Sequence, residues 1–251
     1  MRSLRTFRYL QLIGVGFALC NCSALTKQIA ILDKSEKGSP LAISGVLVFN
    51  DDGPEATPYS IEFHETAKNT SSKPIQLLII ETRITSDPDQ SPNTFSNDYF
   101  FSPKTLEPGN VADVSVSSPR YGPRHETSNP PRLSPAVNVA YVEFGDGTHW
   151  GNLDSAREPY RIRASTLAEL HILRNAYESG GDEAFVSELL RAENHAIPGI
   201  AGLQNSYDSS GLEAAEIKAW TMFDAANSHQ NEMPTSPSAA PKIPARSRTK
   251  H

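Results

Sequence analysis

From residue 41 to residue 151 apolar and polar positions alternate, the period of a β-strand, and from about residue 165 apolar positions recur every three or four residues, the period of a helix. Ile43, Gly45, Leu47 and Phe49 alternate with Ala42, Ser44, Val46 and Val48, which predicts a strand apolar on both faces. Asn50-Asp51-Asp52-Gly53-Pro54 ends it with turn chemistry. Tyr59, Ile61 and Phe63 alternate with Ser60, Glu62 and His64, a strand with one wet face. Leu77-Leu78-Ile79-Ile80 is the centre of a fully buried strand over 75–85, and Val114 and Val116 mark another over 111–117. Tyr99-Phe100-Phe101 suggests a short strand, whereas 87–97 and the five-proline stretch 119–135 read as loops.

The strongest local signal is the run 137–151, VNVAYVEFGDGTHWG, where strand residues lead to Gly145-Asp146-Gly147 and return through Thr148-His149-Trp150. A two-residue loop would put Trp150 opposite Glu143. A three-residue loop with a glycine bulge would put it with Val142 and Phe144, and this reading is favoured because it groups the apolar residues.

Residues 152–164 read as a linker before the helical part, 165–232. Thr166-Leu167-Ala168-Glu169 has the form of a capping box, followed by the stripe Leu170, Leu173, Tyr177 and a stop at Gly180-Gly181. Asp182 starts a second helix carrying Phe185, Val186, Leu189 and Leu190, and Pro198 to Gly202 breaks the pattern. A third helix begins at Ser210-Gly211-Leu212-Glu213 and carries Ile217, Trp220 and Phe223. Short amphipathic helices need a surface to pack on, and Trp220 and Phe223 are candidates for a partner-docking face as well as for burial in the chain itself. The tail 233–251 is rich in Pro, Ser, Ala and basic residues and reads as disordered.

Residues 41–151 therefore predict an antiparallel β-sandwich, followed by about three short α-helices. Asn69-Thr70-Ser71-Ser72-Lys73-Pro74-Ile75 before a buried strand, Leu106-Glu107-Pro108-Gly109 before an alternating one and the Val142–Trp150 hairpin resemble immunoglobulin-like or fibronectin-type-III-like domains of exported bacterial proteins. The resemblance spans under half of the chain and lacks the Cys-Trp-Cys signature of antibody domains. It implies a binding, spacing or assembly module and no catalysis.

The first 24 residues read as an export signal, with Arg2, Arg5 and Arg8 ahead of an apolar run of about a dozen residues. Cys20 and Cys22 close this segment and are the chain's two cysteines. Their placement resembles a bacterial lipoprotein signal: Leu19 stands three residues before Cys22, although Asn21 replaces the usual small residue. Cleavage after Ala24 is the other reading, and an uncleaved signal-anchor a third. Residues 25–40, polar and mixed, read as a tether. Residues 25–232 carry a formal charge of about −13, which argues against a nucleic-acid partner and limits membrane contact to an N-terminal lipid or anchor.

Metal, nucleophile and nucleotide chemistry have little support. Glu62, His64 and His149 lack zinc-ligand spacing, the Asp51-Asp52 and Asp87/Asp89 stretches lack a calcium-loop ladder, and no Gly-x-Ser-x-Gly, Gly-x-Gly-x-x-Gly or P-loop occurs. Asn69-Thr70-Ser71 fits a glycosylation acceptor. No catalytic, cofactor or metal residue is assigned. The expectation is an exported, non-catalytic binding or scaffolding protein of the envelope, periplasm or exterior, acting on an envelope protein or glycan. The alternative is a secreted carbohydrate-binding protein or hydrolase with a site in 87–97 and 119–135, lined by Tyr99, Tyr121 or Trp150.

Overall fold

The computed structural model describes residues 25–51, 60–84, 92–121, 134–191 and 196–230. The export signal, Cys20 and Cys22, residues 87–91 and 122–133 of the two expected loops, and the tail lie outside the described residues.

Two mostly antiparallel sheets enclose one core. The first sheet joins β1 (Leu25–Ala30), β3 (Leu41–Asp51) and β4 (Ser60–Asn69), and β4 then pairs with both β7 (Val111–Asp113) and β8 (Val116–Tyr121). The second runs β10 (His149–Gly151), β9 (Pro135–Phe144), β5 (Ile75–Ile84), β6 (Asn93–Asp98), with β2 (Leu32–Asp33) parallel to β9. Leu41, Ile43, Ala67, Ala112 and Val114 from the first sheet meet Ile75, Leu78, Ile80, Val137, Val139 and Val142 from the second. Toward the other end Leu47, Phe49, Ile61 and Phe63 close over Ile84.

The central strands of the second sheet, β5 and β9, are buried on both faces, which explains the unbroken apolar run of β5. Leu78 and Ile80 point into the sandwich, while Leu77 and Ile79 join Ala140, Tyr141, Ala156 and Tyr160 on the outer face. Register shifts between Ile79 and Ile80, opposite Tyr141 and Val139, leave Ala140 as an extra residue on β9. That bulge lets Val139 and Val142 both face the sandwich while Tyr141 faces out. In the closing hairpin Trp150 pairs with Val142 and packs with Phe144 against the inter-sheet core, as the bulged reading expects. Gly147 takes the left-handed conformation the turn needs, at φ 77°.

Residues 25–40 are not a tether. β1 pairs along six positions of β3, and residues 31–35 cross to the second sheet. Lys34 N–H donates to the Val137 carbonyl at 2.8 Å, Val139 N–H to Ser35 Oγ at 3.0 Å and Ile43 N–H to Asp33 Oδ2 at 3.3 Å. Polar side chains here satisfy backbone of both sheets, so the segment seals an edge with little apolar signal. Part of the expected loop 87–97 is strand, because 93–98 form β6, and Tyr99 to Phe101 turn away from the sheet instead of extending it.

The expected linker is helical. Asn152 Oδ1 caps a short 3-10 turn, Leu153–Ala156, which runs into α1 (Arg157–Leu189). Thr166 and Glu169 are therefore buried inside α1, beyond its first turn. Gly181, at φ 65° and ψ −152°, leaves the helical conformation and kinks α1 into two arms, at the place where the sequence puts a helix stop and a new start at Asp182. Pro198, expected as a breaker, opens α2 (Pro198–Ser210) at a position where a missing N–H costs nothing. Gly211 then leads into α3 (Leu212–Gln230). The three helices share a core of Leu170, Leu173, Phe185, Leu189, Ile200, Leu203 and Phe223. At Gly199 a Cβ would collide with the Thr166 side chain, so glycine sets how closely α2 approaches α1.

Candidate functional site

Two constellations stand out, one buried between the sheet and the helices and one on the helical surface. The buried one centres on Arg163, 3% exposed on α1. Its Nε and Nη2 donate to Oδ2 and Oδ1 of Asp98, both at 2.8 Å, and its Nη1 donates to Glu143 at 2.9 Å and 3.1 Å. The guanidinium lies over the rings of Phe100 and Tyr160, 4.7 Å and 5.2 Å from their centres. Tyr160 donates its one hydroxyl proton to Glu143 Oε2 at 2.7 Å, so the 2.7 Å contact between Tyr141 and Tyr160 has Tyr141 as donor.

Burial opposes charge on Arg163, but Asp98 and Glu143 outweigh it and hold the guanidinium above its ordinary range. Burial, the Tyr141 bond and the Glu143 charge push the Tyr160 phenol far up, so it stays a neutral donor. A phenol held this way is no nucleophile or general base near neutral pH. The arrangement is suited to fastening: bidentate, charge-assisted bonds tie α1 to β6 and β9. The Phe100-Phe101 corner adds an apolar contact, since Phe101 packs against the helical core.

The second constellation lies between α1 and α3. A groove of about 280 Å³ is lined by Arg174, Tyr177, Glu178, Trp220, Phe223 and Asp224. Tyr177 and Trp220 meet edge to face at 5.4 Å, and Arg174 covers Phe223 at 4.7 Å. Phe223 is buried and Trp220 half-buried against the helical core, so both are intramolecular packing residues as well as groove lining. Ile217, expected on the apolar stripe, is instead 60% exposed.

The other sequence candidates do not gather. His64 reaches Glu62 at 3.4 Å on the outside of the first sheet, while His149 stacks on Tyr141 at 5.7 Å on the second. Among the described residues no group of three histidine, cysteine or acidic side chains is placed to hold a metal ion. Asp52, Asp87 and Asp89 lie outside the described residues. Tyr99 and Trp150, expected as glycan-facing aromatics, pack against the inter-sheet core. Asn69 is fully buried: its Nδ2 donates to the carbonyls of Lys73 and Leu106, both at 2.8 Å, and its Oδ1 accepts from Ser71. In the fold it is a loop fastener with no nitrogen free for a glycan.

Sequence reasoning passed over Arg163, Tyr160, Asp98 and Glu143. The one local hint is the spacing of Tyr160 and Arg163, one helical turn apart in a stretch read as linker. Comparison with protein-family models, curated proteins and solved structures yields no match. Among the described residues no helix is long and apolar enough to cross a membrane.

Proposed function

We propose that this chain is an exported, non-catalytic binding or scaffolding protein of the cell envelope, built on an immunoglobulin-like sandwich with a helical region fastened to it. The observation that carries the reading is the position of Leu25. It follows the segment read as an export signal, with cleavage after Ala24, and it is already paired with Asp51 in the first sheet. Cleavage after Ala24 would leave the first strand of that sheet whole. With a lipid on Cys22 instead, Ser23 and Ala24 alone would separate the anchor from the sandwich.

The strand connectivity supports the sandwich part of the reading. β3, β4 and β7/β8 oppose β10, β9, β5 and β6, and the chain changes sheet between β4 and β5, β6 and β7, and β8 and β9. The Arg163 fastening supports the scaffolding part, because it presents the helices on a sheet face instead of on a swinging linker. The partner class is an envelope protein or glycan. The test is the intact mass of the protein isolated from the membrane and medium fractions of its native host. A chain beginning at Leu25, or at Cys22 with added acyl groups, is expected. An unprocessed chain in the cytoplasm would overturn the reading.

A further inference from the structure

Carboxylates crowd the α1–α3 face. Asp224 and Glu178, the latter ion-paired with Arg174, rim the aromatic groove, and farther along the same two helices Asp182 and Glu183 line a second depression with Val186 and Leu212. Between them Glu216 has an oxygen that is shielded from solvent and lacks a hydrogen-bond partner. Burial pushes its carboxyl above the ordinary range, and the charges of Asp182 and Glu213 push it further. Arg174 is already engaged by Glu178 and Lys218 by the Gly202 carbonyl. The face thus combines a Tyr177–Trp220 notch with acidic groups that repel one another, a surface that a basic ligand with flat apolar edges would relieve.

The chain carries a segment of that chemistry. Beyond α3, Pro234 and Pro237, then Pro241 and Pro244, stand three residues apart, followed or interleaved by Lys242, Arg246, Arg248 and Lys250. Prolines at that spacing fall on one edge of a polyproline II helix, the shape that aromatic grooves accept at low entropic cost. Reach is ample. From Trp220 to Gln230 helix α3 rises ~15 Å, while an extended run from Gln230 to Pro241 spans ~34 Å.

We propose that the α1–α3 groove is the docking site of the chain's own proline-rich basic segment, residues 234–250, with proline edges in the Tyr177–Trp220 notch and basic groups on the acidic rim. The inference goes beyond the binding role proposed above: it gives this face an occupant from the chain itself.

The test uses the full chain with a benzophenone amino acid introduced at Ile217, an exposed position one turn from Trp220. Irradiation and peptide mass mapping should give an intramolecular adduct to residues within 234–250. Its yield should fall at least tenfold in the K242E/R246E/R248E/K250E variant and decline with added salt. Both changes sit on exposed or tail positions, and circular dichroism checks that the fold is kept. Adducts confined to a covalent dimer would overturn the intramolecular site in favour of a second copy's segment. No adduct within 234–250, or a yield indifferent to charge reversal, would overturn the occupant altogether.

Discussion

Leu77 and Leu78 are neighbours on β5, neither with any solvent exposure, yet they are covered by different means. Leu78 faces the first sheet through aliphatic side chains, and that interior holds an acid, Glu65, 1% exposed, whose carboxyl accepts from the Thr82 hydroxyl at 3.1 Å on both oxygens. Leu77 faces the helices beside Glu143, where a buried arginine and a tyrosine supply the donors. Two buried glutamates thus sit on opposite sides of one sheet with opposite surroundings. Burial without a cation pushes the Glu65 carboxyl above its ordinary range, with the Thr82 bond offsetting part of that. Gly45 stands opposite Glu65 on β3, and a Cβ there would crowd the Glu65 backbone and side chain, so the glycine makes room for the acid. The lesson is that burial alone shifts a carboxyl toward its neutral form, as at Glu65, whereas a buried cation beside it offsets that cost, as Arg163 does at Glu143.

The largest way to break the comparison is Arg163→Ala. It strands Glu143 and Asp98 beside apolar groups, and a loss of about 3–5 kcal/mol is expected from urea unfolding, with hydrogen exchange rising first in α1. Next, Leu77→Ala and Leu78→Ala should each cost about 2–5 kcal/mol. If Leu77→Ala costs under ~1 kcal/mol while Leu78→Ala costs the full amount, the helices are not part of the cooperative core.

Glu65→Gln sharpens the contrast through pH. The folded carboxyl is raised above the unfolded 4.5, so the folded state binds the proton more tightly. Its contribution is fully present below pH 4.5 and is lost as pH rises toward the folded value. The variant should match the parent near pH 4 and exceed it by about 1 kcal/mol at pH 8, measured as the difference in urea midpoint. A parallel pair of pH curves would show that Glu65 is not the titrating group.

The smallest effect belongs to a pair on the hairpin surface. Lys73 lies 2.6 Å from Asp146 and, with Thr148, lowers its carboxyl to about 2. Both side chains are about half exposed, so solvent screening leaves Lys73→Met a cost of under ~1 kcal/mol. The sign is opposite to that of Glu65: the contribution is present above pH 3.8 and lost as pH falls through about 2.

Period-two alternation determined by itself most of the long strands, because apolar side chains on one strand face must be buried whatever else happens. The change of period marked the helices of the last third. The face of Trp150 hung on a choice between two loop lengths, which the pairing with Val142 decided. The pattern missed β1, β6 and the start of α1 for a common reason. Each is held by polar partners or by a single apolar row at an edge: β1 by its ladder to β3 with Ile29 against the core and residues 31–35 by bonds to two sheets, β6 with Phe95 as its main core contact, and the first turns of α1 by Tyr160 and Arg163. The capping-box pattern at Thr166 misled because a helix already begun upstream makes the box internal. The fastening site was invisible for a stronger reason. Arg163 bonds to residues 65 and 20 positions away, and a buried charge reads as a solvated one until the fold brings its partners to it. Hydrophobic period is a property of neighbours in the chain, whereas the pairing of buried charges is a property of neighbours in space, and only the tertiary structure decides those.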